Sequence, residues 1–339
     1  MIFPHLLHKS DLVAVTATSS PCKRDALENG VRALEGMGLR VRVMDSCYAT
    51  HEYLAGYAEL RVQDLHLAFS DKEVKGIFAA RGGYGAGRLL PLLDYGMIQR
   101  NAKVFVGFSD VTALHVALNQ VCRMVTFHGP MAGSCFGGGE LDTASMEAFK
   151  RAVFGCKWPQ TAFTTIYGDE RNSRLRDAAP ADAISTRPHA YSQGNAAVAN
   201  THLTVLHPGC ASGILTGGNL SVIASLLGTP YEIKTRGRIL FLEEIGETPY
   251  RVDRLLLQLK LAGKFRDAEG IVFGDFVPET LETLNLAIRE LVLPEGKPTL
   301  WGLPCGHSLP NITLPLGLRA YISQAGFHRF HVPDAGIKL

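Results

Sequence analysis

The chain has 339 residues, of which 46% are hydrophobic and 19% charged, enough apolar material for two packed domains of ordinary globular type. Its net charge of +2, spread over scattered basic residues, gives no reason to expect nucleic acid or an anionic membrane as a partner. No apolar run approaches the roughly 18 residues that span a bilayer, and the opening M-I-F-P-H-L-L-H-K-S-D lacks the three regions of a signal peptide, so a cytoplasmic protein is expected.

Taken in order, D-L-V-A-V-T-A (11–17) reads as a first strand, running into T-S-S-P and then a helix over 24–37 that Gly38 stops. L-R-V-R-V-M (39–44) alternates as a strand, 60–69 is helical, and 74–80 returns to strand, an alternation that implies a parallel sheet covered by helices. R-G-G-Y-G-A-G-R-L-L (81–90) follows. It completes no dinucleotide fingerprint, because Arg88 stands where the last glycine is required. It is either a tight crossover or a loop whose backbone N–H groups bind a ligand.

The stretch 103–122, K-V-F-V-G-F-S-D-V-T-A-L-H-V-A-L-N-Q-V-C, changes from strand to helical period at Ser109. A serine there can simply cap the helix. It can also be a nucleophile held on a tight turn, with the next N–H free to bind an oxyanion. Gly107 and Ser109 fit G-x-S, but Val111 occupies the place of the second glycine. Ser109 and the glycine loop should share the rim at the carboxyl ends of the parallel strands.

A strand over 125–129 and a helix over 141–153 close an N-terminal Rossmann-like domain, residues 1–156. Periodicity decays over 157–206, the mark of a linker or lid. A mixed α/β domain is expected over 207–339. In it S-G-I-L-T leads to G-G-N-L (217–220), R-I-L-F-L (238–242) delivers Glu243 and Glu244, and a helix runs from 249 to 261. Further strands over 270–276 and 299–303 flank a helix over 279–291, and the second of them enters P-C-G-H-S. In the last run, N-I-T-L-P-L-G-L-R-A-Y-I, Pro315 argues for an edge or a bulge.

Ser109, Glu243 and His307 all follow strands, and together they supply what serine chemistry needs: a hydroxyl, a base that works near neutral pH and a carboxylate to orient it. Each alone has a plain reading, as a cap, a solvated strand end or a hydrogen-bonded loop histidine. The histidines are dispersed with no H-E-x-x-H, and the seven cysteines include no C-x-x-C pair, so neither a metal site nor a disulfide frame is expected.

Six ordered blocks resemble the LD-carboxypeptidases: Y-L-A-G (53–56), D-L-H-L-A-F-S-D-K-E-V-K-G-I-F-A-A-R-G-G-Y-G (64–85), G-F-S-D-V-T-A-L (107–114), G-G-N-L, F-L-E-E-I-G-E-T-P-Y-R-V-D-R (241–254) and G-H-S-L-P-N-I-T-L-P-L-G (306–317). The resemblance implies a cytoplasmic serine peptidase, often a homodimer, with a Ser109, Glu243, His307 triad and neither cofactor nor metal. It further implies a muropeptide substrate, the tetrapeptide L-Ala, D-Glu, meso-diaminopimelate, D-Ala, losing its terminal D-Ala in murein recycling. Oxyanion and substrate contacts fall to Asp110, Gly83, Gly82, Arg81 and Asn219, and the free carboxylate to one of Arg81, Arg88 and Arg251. A related branch, the microcin C self-immunity peptidases, cleaves peptidyl-adenylates beneath a long aromatic loop, for which 157–206 offers Trp158, Phe163, Tyr167, His189 and Tyr191. A third expectation is a two-domain protein that binds a small ligand without reacting with it.

Overall fold

The computed structural model describes residues 1–139, 141–154, 203–323 and 326–329. The aromatic residues Trp158, Phe163, Tyr167, His189 and Tyr191, with nearly all of the expected lid, lie outside the described residues.

In chain order the strands are β1 (Leu12–Thr16), β2 (Arg40–Val43), β3 (Val74–Ala79), β4 (Val104–Gly107), β5 (Thr126–His128), β6 (Thr204–His207) and β7 (Ala211–Asn219). There follow β8 (Arg238–Ile245), β9 (Gly270–Val277), β10 (Thr299–Trp301), β11 (Leu314–Leu316), β12 (Arg319–Ser323) and β13 (Gly326–Arg329). The first sheet has the order β2-β1-β3-β4-β5-β11, in which β1 to β5 run parallel and β11 is antiparallel.

Strands β1 and β4 are buried along their whole length, as apolar strands covered on both faces should be. The pleat sends Val13, Val15, Val104 and Val106 to one face, where Leu27, Leu34, Phe149 and Val153 from two helices meet them. Leu12, Ala14 and Phe105 go to the other, against Leu65, Phe69, Leu89, Leu114 and Leu118. The order reverses between β1 and β3, so the loops leaving these strands part at a switch point, where open α/β sheets bind ligands.

The second sheet, β13-β12-β7-β8-β9-β10-β6, has a parallel centre from β7 to β10 and antiparallel flanks. Helices packed on one face cover Leu240, Leu242, Ile271 and Phe273; on the other, Ile239, Phe241 and Val272 pack with Leu303, Ile312, Leu314 and Leu316. The α/β expectation holds in both halves, one with a largely parallel sheet and one mixed.

Sheet membership nonetheless crosses the line drawn at residue 206. Strand β6 starts at Thr204, and β11, far into the second half, completes the first sheet beside β5, with Pro315 opposite Phe127 on the outermost strand. A proline is tolerated there because an edge strand can spare a ladder donor. The helix read over 279–291 is regular only across Leu281–Ala287 before its winding loosens.

Candidate active site

Ser109 sits at the carboxyl end of β4, on a single 3-10 turn, Ser109–Val111, that leads into the helix Thr112–Gln120. Its φ is +62°, a left-handed conformation that costs a residue with a Cβ on the order of 1–3 kcal/mol. A cap residue has extended backbone and has no need of that strain. The turn brings Gly107 and Val111 together: a Cβ on Gly107 would lie 2.8 Å from Val111 Cγ1 and 3.1 Å from Ala79 Cβ. One glycine on the near side therefore makes the room, which is why the elbow tolerates Val111 on the other.

The glycine loop meets this turn directly. A methyl on Gly82 would stand 2.9 Å from Ser109 Cβ and 3.1 Å from its Oγ, and one on Gly83, whose φ is +109°, would fall 2.4 Å from Ser20 Oγ. Gly82 is thus the loop residue packed against the serine, while Gly83 packs against the loop after β1. Asp110 is 6% exposed, and its carboxylate accepts from the Ala86 N–H at 2.8 Å. Buried Arg61 donates Nη1–H to the carbonyls of Thr18 and Gly85. Burial pushes the Asp110 carboxyl up, and hydrogen bonds from Ser19, Ala86 and Gly85, with the charge of Arg61, pull it back. Sequence reasoning gave Asp110 a backbone role; the structure shows its side chain tying the serine turn to the glycine loop.

The second sheet brings its carboxyl edge to the same place. Gly218 at the end of β7 abuts Thr112, whose Oγ1 would lie 2.5 Å from a Cβ there and which accepts the Asn219 N–H at 3.0 Å. Strand β8 then sets Glu243, fully buried, opposite Asn219 in the ladder. His307 Nδ1 is 2.7 Å from Glu243 Oε2. An ionised carboxylate can only accept, so Nδ1 carries the proton and Nε2 is left as a base. Burial pushes the Glu243 carboxyl up from the ordinary range, and the bond and charge of His307 pull it down.

Phe108, the residue before the serine, packs its ring 4.8 Å from that of His307 and joins the two halves of the site. Gly306, at φ +144°, has room only for hydrogen: a Cβ would be 3.1 Å from Glu243 Oε2 and 3.2 Å from Asp275 Cβ. The sequence reading missed Phe108 and Asp275, although Asp275 could have been found by the rule that flagged Glu243, a carboxylate near the end of a parallel strand.

The other expected contacts are placed as follows. Asn219 is 4% exposed, with Oδ1 accepting from the Val222 N–H and Nδ2 donating to Glu244 Oε1 at 3.0 Å. Arg81 is half-buried and donates Nη1–H to the Pro21 carbonyl at 3.2 Å. Arg251 pairs with Glu247, 3.5 Å away. Behind the site stand two further histidines, both fully buried. His115 donates Nε2–H to the Gly107 carbonyl at 2.8 Å; His128 packs among Phe108, Phe241 and His115 with neither ring nitrogen partnered. Burial lowers both, His115 to about 4 and His128 well below the ordinary range. Among the described residues no group of three or more His, Cys, Asp or Glu could hold a metal ion, and no helix is long and apolar enough to cross a membrane.

A strained serine turn at the end of one parallel sheet lies beside a His–Glu pair carried by the next, the groups that a hydrolase of the serine type would need. Residues 13–129 match the LD-carboxypeptidase N-terminal domain and residues 212–322 the LD-carboxypeptidase C-terminal domain. The chain belongs to the LD-carboxypeptidase family. It is 36% identical to a probable murein peptide carboxypeptidase of Bacillus subtilis over 98% of this chain and 95% of that one. Among solved structures it is similar to an MccF-like protein from Bacillus anthracis (TM-score 0.79, 28% identity, 98% and 100% of the two chains). It is likewise similar to a muramoyltetrapeptide carboxypeptidase from Oxalobacter formigenes (TM-score 0.73, 28% identity, 93% and 96%).

Proposed function

We propose that this chain is a serine carboxypeptidase that removes the terminal D-Ala from the murein tetrapeptide L-Ala, D-Glu, meso-diaminopimelate, D-Ala, with Ser109, His307 and Glu243 as nucleophile, base and orienting carboxylate. The observation that carries the reading is the His307–Glu243 bond of 2.7 Å, which frees Nε2 of a ring packed beside the strained serine turn. The similarity to a murein peptide carboxypeptidase along nearly the whole chain supplies the substrate class.

His307 Nε2 takes the Ser109 proton as Oγ attacks the carbonyl of the L-centre of diaminopimelate. The oxyanion is bound by the N–H of Asp110, at the helix start, and by an N–H of the Gly82–Gly83 loop. His307 returns the proton to the departing D-Ala nitrogen, and water activated by the same ring releases the acyl group. On the family resemblance the enzyme works in the cytoplasm as a homodimer.

The test is D-Ala release from the tetrapeptide, followed by mass spectrometry for the intact protein and for Ser109→Ala. Release that disappears in the variant while peptide binding persists supports the reading. An unchanged rate in Ser109→Ala would sink the triad. A folded enzyme that spares the tetrapeptide and cleaves a peptidyl-adenylate would establish the microcin-type activity instead; one that binds peptide without cleaving either would be a binding protein.

A further inference from the structure

Beside the glycine loop lies a cluster to which the mechanism above gives no role. Tyr84, between Gly83 and Gly85, and Tyr53, far away in sequence, pack with ring centroids 5.8 Å apart, yet each is more than half exposed, at 54% and 58%. Arg88 completes the group: its guanidinium carbon lies 5.7 Å from the centre of the Tyr84 ring, and its Nη2 reaches Tyr53 Oη at 3.4 Å. An exposed arginine ordinarily wanders. This one is stacked on one tyrosine and bonded to a second, which limits its rotamers before any ligand arrives.

The cluster is tied to the reacting centre through the backbone. Tyr84 donates its N–H to Ser20 Oγ, and Arg88 donates its N–H to the Gly85 carbonyl. Ala86, two residues before Arg88, donates to the Asp110 carboxylate next to the nucleophile. Among the described residues Arg88 has no carboxylate within ion-pair distance, and its guanidinium has no protein partner besides Tyr53 and Tyr84. Of the other arginines near these loops, Arg81 donates Nη1–H to the Pro21 carbonyl without the aromatic stacking that holds Arg88, Arg251 is paired with Glu247, and Arg61 is buried behind the loop. A planar fork fixed by aromatic contacts and lacking an acid is what a peptide carboxylate would complete.

We propose that Arg88, held by Tyr84 and Tyr53, binds the C-terminal carboxylate of the residue to be released and so restricts the enzyme to the last peptide bond. The inference rests on the carboxypeptidase reading and names the element that makes it exo-acting. In the scissile unit the terminal carboxylate is only one Cα beyond the bond that breaks, so the cation that selects it must stand beside the oxyanion loop.

Two substrates test it: the tetrapeptide ending in free D-Ala and the same peptide ending in D-alaninamide. Wild type is expected to favour the acid. Arg88→Ala should lower kcat/KM for the acid roughly 10- to 100-fold, mainly through KM, because a charged hydrogen-bonded pair is lost, and should leave the amide unchanged. Arg88→Lys should recover part of the preference, and Tyr84→Ala should lose part of it. Because Arg88 is exposed, equal melting temperatures will show that the variant is folded. The proposal is overturned if wild type does not discriminate, or if Arg88→Ala slows acid and amide alike or slows neither. A wild type that hydrolyses neither peptide would overturn the carboxypeptidase reading, and this one with it.

Discussion

The two halves of the candidate site are built by different means. On the first sheet the serine turn is held by backbone shape: Ser109 at φ +62°, Gly82 pressed against its side chain and Gly107 yielding to Val111. On the second, Glu243 and His307 are held by side-chain bonds, with Asn219 donating to Glu244 and Glu244 accepting from the Ser221 N–H at 2.7 Å. A half made of backbone tolerates no added atom. A half made of hydrogen bonds tolerates no lost one, because a buried partner left alone keeps its desolvation cost.

The largest effects should come from breaking the bonded half. Glu243→Gln keeps the shape of the side chain but removes the acceptor charge that fixes the His307 tautomer, and kcat should fall by about 10⁴-fold, as expected for a mis-set imidazole. Combining it with Ser109→Ala should cost no more than Ser109→Ala alone, since the groups act as one unit; losses that multiply in single-turnover assays would show that they do not. On the backbone half, Gly82→Ala inserts a methyl 2.9 Å from Ser109 Cβ and 3.1 Å from its Oγ and should cost about 100-fold in kcat, the order of losing one oxyanion donor, together with a lower melting temperature because the turn must shift. Near-wild-type turnover in Gly82→Ala would mean that the loop gives way and that the first half is not rigid.

The same contrast explains what could be read in advance. The alternation of strand and helix from residue 11 to 153, with glycines at its turns, fixed the parallel sheet, because apolar period is a local property. Ser109, Glu243 and His307 were legible as side chains of the right chemistry after strands. Three features depended on contacts between distant segments and were not. The elbow looked incomplete at Val111 because nothing local shows that Gly107 alone clears the turn. Strand β11, with Pro315 in it, falls within the expected second domain, yet it pairs with β5 at the edge of the first sheet while Leu314 and Leu316 pack in the core of the second, a bridging role that no local pattern shows. The carboxylate of Asp110 gave no sign of its bond to Ala86, which forms only once the loop after β3 folds over the turn after β4.

That bond lies where the comparison is sharpest, since it is a side-chain contact inside the backbone half. Asp110→Asn should leave one acceptor for the Ala86 N–H but remove the charge facing Arg61, and the expected loss is about tenfold in kcat with roughly 1–2 kcal/mol of stability. Equilibrium urea unfolding beside steady-state kinetics separates the two. A stability loss with unchanged kcat would make Asp110 a scaffold residue only.

The smallest effect, and the most revealing of how dry the shared core is, concerns the histidines behind the serine. His115 and His128 are held below their unfolded value by burial, His115 to about 4, so the unfolded chain binds protons there that the folded chain refuses. Stability is therefore undiminished by these groups above about pH 6.5, the unfolded value, and each withdraws about 1.4 kcal/mol per pH unit as pH falls below it. For His115 that loss ends near pH 4, where the folded ring itself takes a proton; for His128 it continues lower. His128→Phe removes two ring nitrogens that have no partner and keeps an aromatic ring among Phe108 and Phe241. The variant should match or exceed wild type in urea midpoint at pH 7.5 and lose stability less steeply toward pH 5. An unchanged pH slope would mean that His128 is protonated alike in both states, so that water reaches the space between the two sheets.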